Sequence, residues 1–246
     1  MKKLTKENIR QIVYTGLMVL VAILFTIAVD KIDTALVLGK EIGFSNVNIA
    51  VHQMLGTSDT FDLLSDITMI VSALLMGGLV FIGTYQLISG KGFKAVDKEI
   101  LIAGAVLVLM SITYLFFEKV VINFRPVLED GFLEASYPST HVLLTTVINI
   151  VAIDYIVTKI KNKKIMLPSV ITVAVITVVG FGARVLSGMH WITDIVGALL
   201  IASCLVMIYF TLKGIFIKQE EVSVVVENVP QPEETQPSPV EDQKTE

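Results

Sequence analysis

Long apolar runs alternate with short polar breaks along this chain, and the runs set the architecture. They occupy Ile12 to Val29, Ile67 to Ile88, Ile100 to Phe117, His141 to Thr158, Leu167 to Leu186 and Trp191 to Leu212. Each is close to the length of about 20 mostly apolar residues that a helix needs to cross a bilayer. The pattern predicts an all-α, polytopic membrane protein, a bundle of six transmembrane helices. The first run follows Met1, Lys2 and Lys3 as a secretory signal would, but it is long and ends in Val29, Asp30 and Lys31 with no small-residue cleavage pattern. It reads as a retained helix. Composition agrees, since 54% of the 246 residues are hydrophobic and only 17% are charged. The mean hydropathy of +0.75 exceeds what a soluble domain needs for one core.

Lysine and arginine in short loops mark the cytoplasmic side. They gather in four places: Lys2 to Arg10 before the first run, Lys91 to Lys98 after the second, Lys159 to Lys164 after the fourth, and Lys213 with Lys218 after the sixth. With six spans, all of these fall on one face. Both termini are then expected in the cytoplasm, most simply inside a plasma membrane. Three segments face outward: Asp30 to Asp66, Glu118 to Thr140, and the tight turn from Ser187 to His190. The first is long and carries Ile49, Val51 and Leu55, so short interfacial helices are expected there. Gly77, Gly78, Gly104, Gly180 and Gly182 lie within spans, where small residues let helices approach closely.

Beyond the sixth run, Pro230, Pro232, Pro237 and Pro239 stand among Glu, Gln and Ser. This divides the chain into a membrane domain over 1–218 and an acidic, disordered cytoplasmic tail over 219–246. The tail supplies much of the net charge of −4, and nothing in the charge pattern suggests nucleic acid as a partner. The single cysteine, Cys204, excludes an intrachain disulfide and makes a thiolate metal site untenable.

Ionisable residues beside membrane spans are costly and are expected to be paired and functional. Here they concentrate on the outer side, from three separate stretches. His190 and Asp194 are four residues apart, one helical turn on the same face. A carboxylate on one ring nitrogen fixes the tautomer and frees the other nitrogen's lone pair. The same pair also suits a helix-start histidine with a dipole-favoured acid. Arg184, across the turn, adds a planar cationic fork suited to phosphate oxygens. Pro138-Ser139-Thr140-His141 leads into the fourth span, where backbone N–H groups point outward as an anion site, although Ser139 also serves as a plain N-cap. Arg125-Pro126, by itself a headgroup anchor, joins this set.

With these motifs the sequence resembles the type 2 phosphatidic acid phosphatase superfamily. Arg125-Pro126 matches the end of its first signature, Pro138-Ser139-Thr140-His141 the second, and Arg184 with His190 and Asp194 the third. The match runs from about Glu118 to Gly197. It departs from the family in three places: Glu118 stands where the first signature has lysine, with Lys119 one residue closer to Arg125; Thr140 replaces glycine; and Ala183 replaces serine.

The resemblance implies a metal-independent phosphatase with no cofactor, active at the extracytoplasmic face of the membrane. Its substrate would be a lipid phosphate or diphosphate among the membrane lipids. Phosphatidic acid, phosphatidylglycerol phosphate and polyprenyl diphosphates such as undecaprenyl diphosphate are all candidates. His190 would become a phosphohistidine, Asp194 would orient it, and His141 would serve as acid and then base. Arg125, Arg184, Ser139, Thr140 and Lys119 would hold the nonbridging oxygens. Two other classes fit the same residues: an anion or phospholipid transporter, and an inactive scaffold. A transporter needs a path through the bundle, whereas these residues lie at one end. Asp154 follows His141 by 13 positions, which on a helix places it roughly 20 Å away, outside the site. His52 reads as structural, Asp59, Asp62 and Asp66 as cap and first-turn acids of the second span, Glu129, Asp130 and Glu134 as a solvated loop, and Trp191 as an interfacial anchor.

Overall fold

The structure, a computed structural model, describes residues 4–129 and 131–217, so the tail expected over 219–246 lies outside the described residues. In chain order it comprises α1 (Lys6–Lys31), a hairpin of β1 (Ala35–Val37) and β2 (Lys40–Ile42), α2 (Ser45–Leu55), α3 (Asp59–Ser89), α4 (Lys98–Lys119), α5 (Thr140–Lys159), α6 (Lys163–Ser187) and α7 (Ile192–Phe216). All except α2 and the hairpin are long and apolar enough to cross a membrane, giving six spans. The chain is an integral membrane protein, and the all-α bundle read from the sequence is the observed fold.

The helices overshoot their apolar runs because their polar ends keep hydrogen bonding beyond the hydrocarbon. Thr5 caps α1 by accepting from the Asn8 N–H at 3.1 Å, and Asn162 caps α6 by accepting from the Lys164 N–H at 3.0 Å. The largest overshoot is in α3, which begins at Asp59 rather than near Ile67. Its 31 residues reach about 46 Å at 1.5 Å each, well beyond a hydrocarbon core of about 30 Å.

The first outer segment departs from expectation. It holds one short helix, α2, and a hairpin in which Ala35 faces Ile42 and Val37 faces Lys40. Leu38 and Gly39 both take positive φ, the backbone of a tight two-residue hairpin turn, and this diverts the segment from helix.

Two helices form the centre. Half of the most apolar window of α7 and 44% of that of α5 are buried, against 11% for α1 and for α6. Val142, Leu143, Val147 and Val151 of α5 pack with Ile195, Ala198, Ala202, Leu205 and Tyr209 of α7. Leu24, Leu74, Phe81 and Val178 on the surrounding helices face outward, as lipid contact requires.

At the end where α5 finishes, charges are matched in pairs. Lys213 Nζ donates to both carboxylate oxygens of Asp154, at 2.7 and 2.6 Å, and the Tyr209 hydroxyl donates to the same carboxylate at 2.7 Å. Lys159 lies 3.1 Å from both Asp97 and Glu99. These pairs tie α5 to α7 and to the start of α4, and leave Asp154 far from the residues at the other end.

Candidate active site

The turn between α6 and α7 is short because Gly188 takes φ +68 at the end of α6. A side chain there would also meet the Gly56 carbonyl oxygen at 2.0 Å, so only glycine fits. The Ser58 N–H donates to the Ser187 carbonyl at 3.0 Å, which fastens this turn to the start of α3. Arg184, His190 and Asp194 are thus held around one compact bend, and all three are buried.

Asp194, fully buried, accepts from the Trp191 N–H at 3.1 Å and from Asn123 Nδ2 at 3.2 Å. Its carboxylate oxygen lies 3.6 Å from His190 Nδ1, aligned for the imidazole but longer than a hydrogen bond. Ligand-free acid–base pairs often tighten only when substrate binds. Burial first, then the positive charges of Arg184 and Arg125, push His190 well below its ordinary range, partly opposed by the Ser136 backbone. The ring is therefore neutral near pH 7, with a lone pair available.

The start of α5 is docked onto α7, because the Ser139 N–H donates to the Asp194 carbonyl at 3.2 Å. Ser139 is completely buried as the N-cap, and Thr140 is the first helical residue. His141 follows within electrostatic range of both Arg184 and His190. Arg125 sits on the preceding loop, whose backbone bonds with Glu134 at 3.0 Å. That loop is tied to α7 by Trp191, whose indole N–H donates to the Phe124 carbonyl at 2.6 Å. Trp191 is 2% exposed, so it is a buried strut and not the interfacial anchor its sequence position suggests.

Arg125, Ser139, His141, Arg184, His190 and Asp194 therefore come together. Arg125 Nε, Arg184 Nε, Ser139 Oγ and His190 Nδ1 are buried with no hydrogen-bond partner among the described residues. Buried polar atoms are normally satisfied, so this concentration of unused bonding capacity makes the bend the candidate anion site. Lys119 is not drawn in. It ends α4 exposed, with no ion pair among the described residues. Glu118, its neighbour, lines a small cleft with Ser136, Tyr137 and Thr140.

Four acids that the sequence reading set aside complete the picture. Asp62 meets Arg184 at 2.5 Å and Asp66 meets His141 Nε2 at 2.7 Å. Glu129 pairs with Arg125, and Glu134 lies 3.4 Å from it. Two asparagines are also new. Asn123 bridges Asp194 to the Gly43 N–H at 3.0 Å, and fully buried Asn48 bonds Thr193 at 2.8 Å. His52 packs edge-on to Trp191 at 5.4 Å, a structural position. Among the described residues no three His, Cys, Asp or Glu side chains are grouped to hold a metal ion.

The PAP2 superfamily model matches residues 100–217, the segment that carries all of these residues from Arg125 to Asp194. The fold is similar to that of a transmembrane PAP2 type phosphatidylglycerolphosphate phosphatase from Bacillus subtilis, with a TM-score of 0.55 and 18% identity over 85% of this chain and 96% of that one. Comparison of the sequence with curated proteins gives no match.

Proposed function

From the match of the PAP2 superfamily model to residues 100–217, we propose that this membrane domain is a metal-independent phosphatase that hydrolyses a lipid phosphate or polyprenyl diphosphate at the extracytoplasmic face through a phosphohistidine. The observation that carries the reading is the cluster of unsatisfied buried donors on Arg125, Arg184 and Ser139 around a neutral histidine backed by a carboxylate. Phosphoryl transfer needs positioning and charge stabilisation more than covalent assistance, and this cluster supplies both.

In the proposed mechanism the two arginines, Ser139 and the backbone N–H of Thr140 at the start of α5 hold the nonbridging oxygens. The His190 lone pair attacks phosphorus while the bond to the leaving oxygen breaks and His141, entering as the imidazolium, gives that oxygen its Nδ1 proton. Asp194 stabilises the positive ring as the N–P bond forms. Water then attacks phosphorus, its proton passes to His141, and the N–P bond breaks to release inorganic phosphate. Tyr137, which burial pushes up to about 12 against the opposing Thr26 hydrogen bond, keeps its proton and takes no part in the transfers.

A lipid substrate is supported by the surface around the site. A groove of about 410 Å³ between α1, α4 and α7 is lined by Ala22, Ile23, Thr26, Phe117 and Leu205. Its Thr26 hydroxyl bonds Tyr137 at 2.8 Å, beside the cleft at Thr140, so an acyl or isoprenyl chain in the groove would bring its head to the cradle. The phosphatidylglycerolphosphate phosphatase similarity places that lipid first in the panel to test.

The test is phosphate release in detergent, with chelator, from phosphatidylglycerol phosphate, phosphatidic acid and polyprenyl diphosphates. Release by wild type and none by folded His190→Ala supports the reading. Equal release by both, or release abolished by the chelator, overturns it.

A further inference from the structure

Resting on the phosphatase reading above, we propose that Asp66 is a positioning residue for His141, doing from a separate helix what Asp194 does for His190 within one. A histidine that gives up a proton and takes it back must keep one tautomer and one orientation. His141 Nε2 lies 2.7 Å from Asp66 Oδ1, so in the neutral ring Nε2–H donates there and Nδ1 is the atom left to exchange a proton. His141 is mostly enclosed while the Asp66 side chain is 47% exposed. The carboxylate therefore keeps contact with solvent while it holds the ring.

The register of α3 makes this contact reproducible. Its start is fastened by the Ser58–Ser187 bond and by the close approach of Gly56 to Gly188. Further along, a side chain on Gly180 would meet Thr68 Oγ1 at 2.4 Å, so α3 and α6 are in near contact one turn before Arg184. Between these two fixed points, Asp62 and Asp66 project one turn apart on the same face. Asp62 takes Arg184 of α6 at 2.5 Å and Asp66 takes His141 of α5. The second span thereby aims groups on two other helices at once.

A carboxylate in this position would act differently if it were only a competitor for phosphate or only a brace. The full-length protein in detergent is assayed with a lipid phosphate, whose alkoxide must be protonated to leave, and with p-nitrophenyl phosphate, whose phenolate leaves unassisted. Asp66→Asn is expected to lower kcat/KM, which reports formation of the phosphohistidine, by about tenfold or more for the lipid and by less than about threefold for the aryl ester. Asp66→Glu should restore part of the lipid rate. Equal losses on both substrates would reduce Asp66 to a brace, and an unchanged kcat with a lower KM would make it a competitor; either result overturns the proposal.

The chain has only three histidines, so nitrogen-15 NMR of the labelled protein reads the ring directly. At a pH where the ring is neutral, wild type should show His141 as the Nε2–H tautomer, and Asp66→Asn, or Asp66→Glu if the former does not fold, should lose that preference. An unchanged tautomer overturns the proposal even if wild type released no phosphate, the outcome that would separately sink the phosphatase reading.

Discussion

The two ends of the bundle use the same ingredients for opposite purposes. Where α5 finishes, Lys213, Asp154 and Tyr209 satisfy one another, and Lys159 is shared by Asp97 and Glu99. Where α5 begins, the cations also have carboxylate partners, but Arg125 Nε, Arg184 Nε and Ser139 Oγ keep unused bonding capacity. Closed charge clusters in a bundle join helices. Open ones pay for an unsatisfied ground state that a ligand can complete.

Substitutions can break this contrast in order of severity. His190→Ala should abolish phosphate release, by about 10⁴-fold or more, with the unfolding midpoint little changed. Arg184→Lys keeps the charge but loses the fork, and should lower kcat/KM by about 10²- to 10³-fold in the same assay. At the other end the expected cost is in stability: Lys213→Met leaves the Asp154 carboxylate without its cation and should destabilise by about 3 kcal/mol in detergent unfolding, while activity per folded molecule is retained. Adding Asp154→Asn should recover much of that loss. Were Lys213→Met to inactivate a fully folded protein, the division of labour between the two ends would collapse.

The smallest effect is in pH dependence. In the proposed mechanism His190 reacts as the neutral ring, and protonation would silence it. Its folded value lies well below 6.5, so kcat/KM should not fall on account of this group as pH drops through 6.5, and its acid limb belongs lower. Arg184→Met removes a nearby positive charge and should move that limb upward. A wild-type limb centred at 6.5 and unmoved by the substitution would mean that the nucleophile is not governed by these charges.

The spans were legible because six apolar runs each approach membrane thickness; the spacing also pointed to His190 and Asp194, although His190 lies in the bend before α7 and not on the same helix, 3.6 Å from the carboxylate. Hydropathy, however, marks the apolar slab and not the helix. The second span reads from Ile67, whereas α3 starts at Asp59, so Asp62 and Asp66 pass for cap residues when they are in fact partners of Arg184 and His141. The spacing of Asp59, Asp62 and Asp66, which continues a helical face outward from the apolar run, was the available signal. Nothing comparable announces Asn123 or Asn48, whose partners lie 71 and 145 positions away along the chain. Lys119 shows the reverse: a residue near a motif position in the sequence that the end of α4 leaves outside the contact network.

The hydrogen bond from the Ser139 N–H to the Asp194 carbonyl also has a bearing on biogenesis. Membrane helices are delivered to the bilayer in chain order, so the start of α5 arrives before the helix that braces it. Until α7 is seated, Ser139 lacks its backbone anchor, and both His190 and its carboxylate are still to come. On the proposed mechanism the nascent chain would stay inert while it is threaded through the membrane, becoming competent only when its last span closes the bundle.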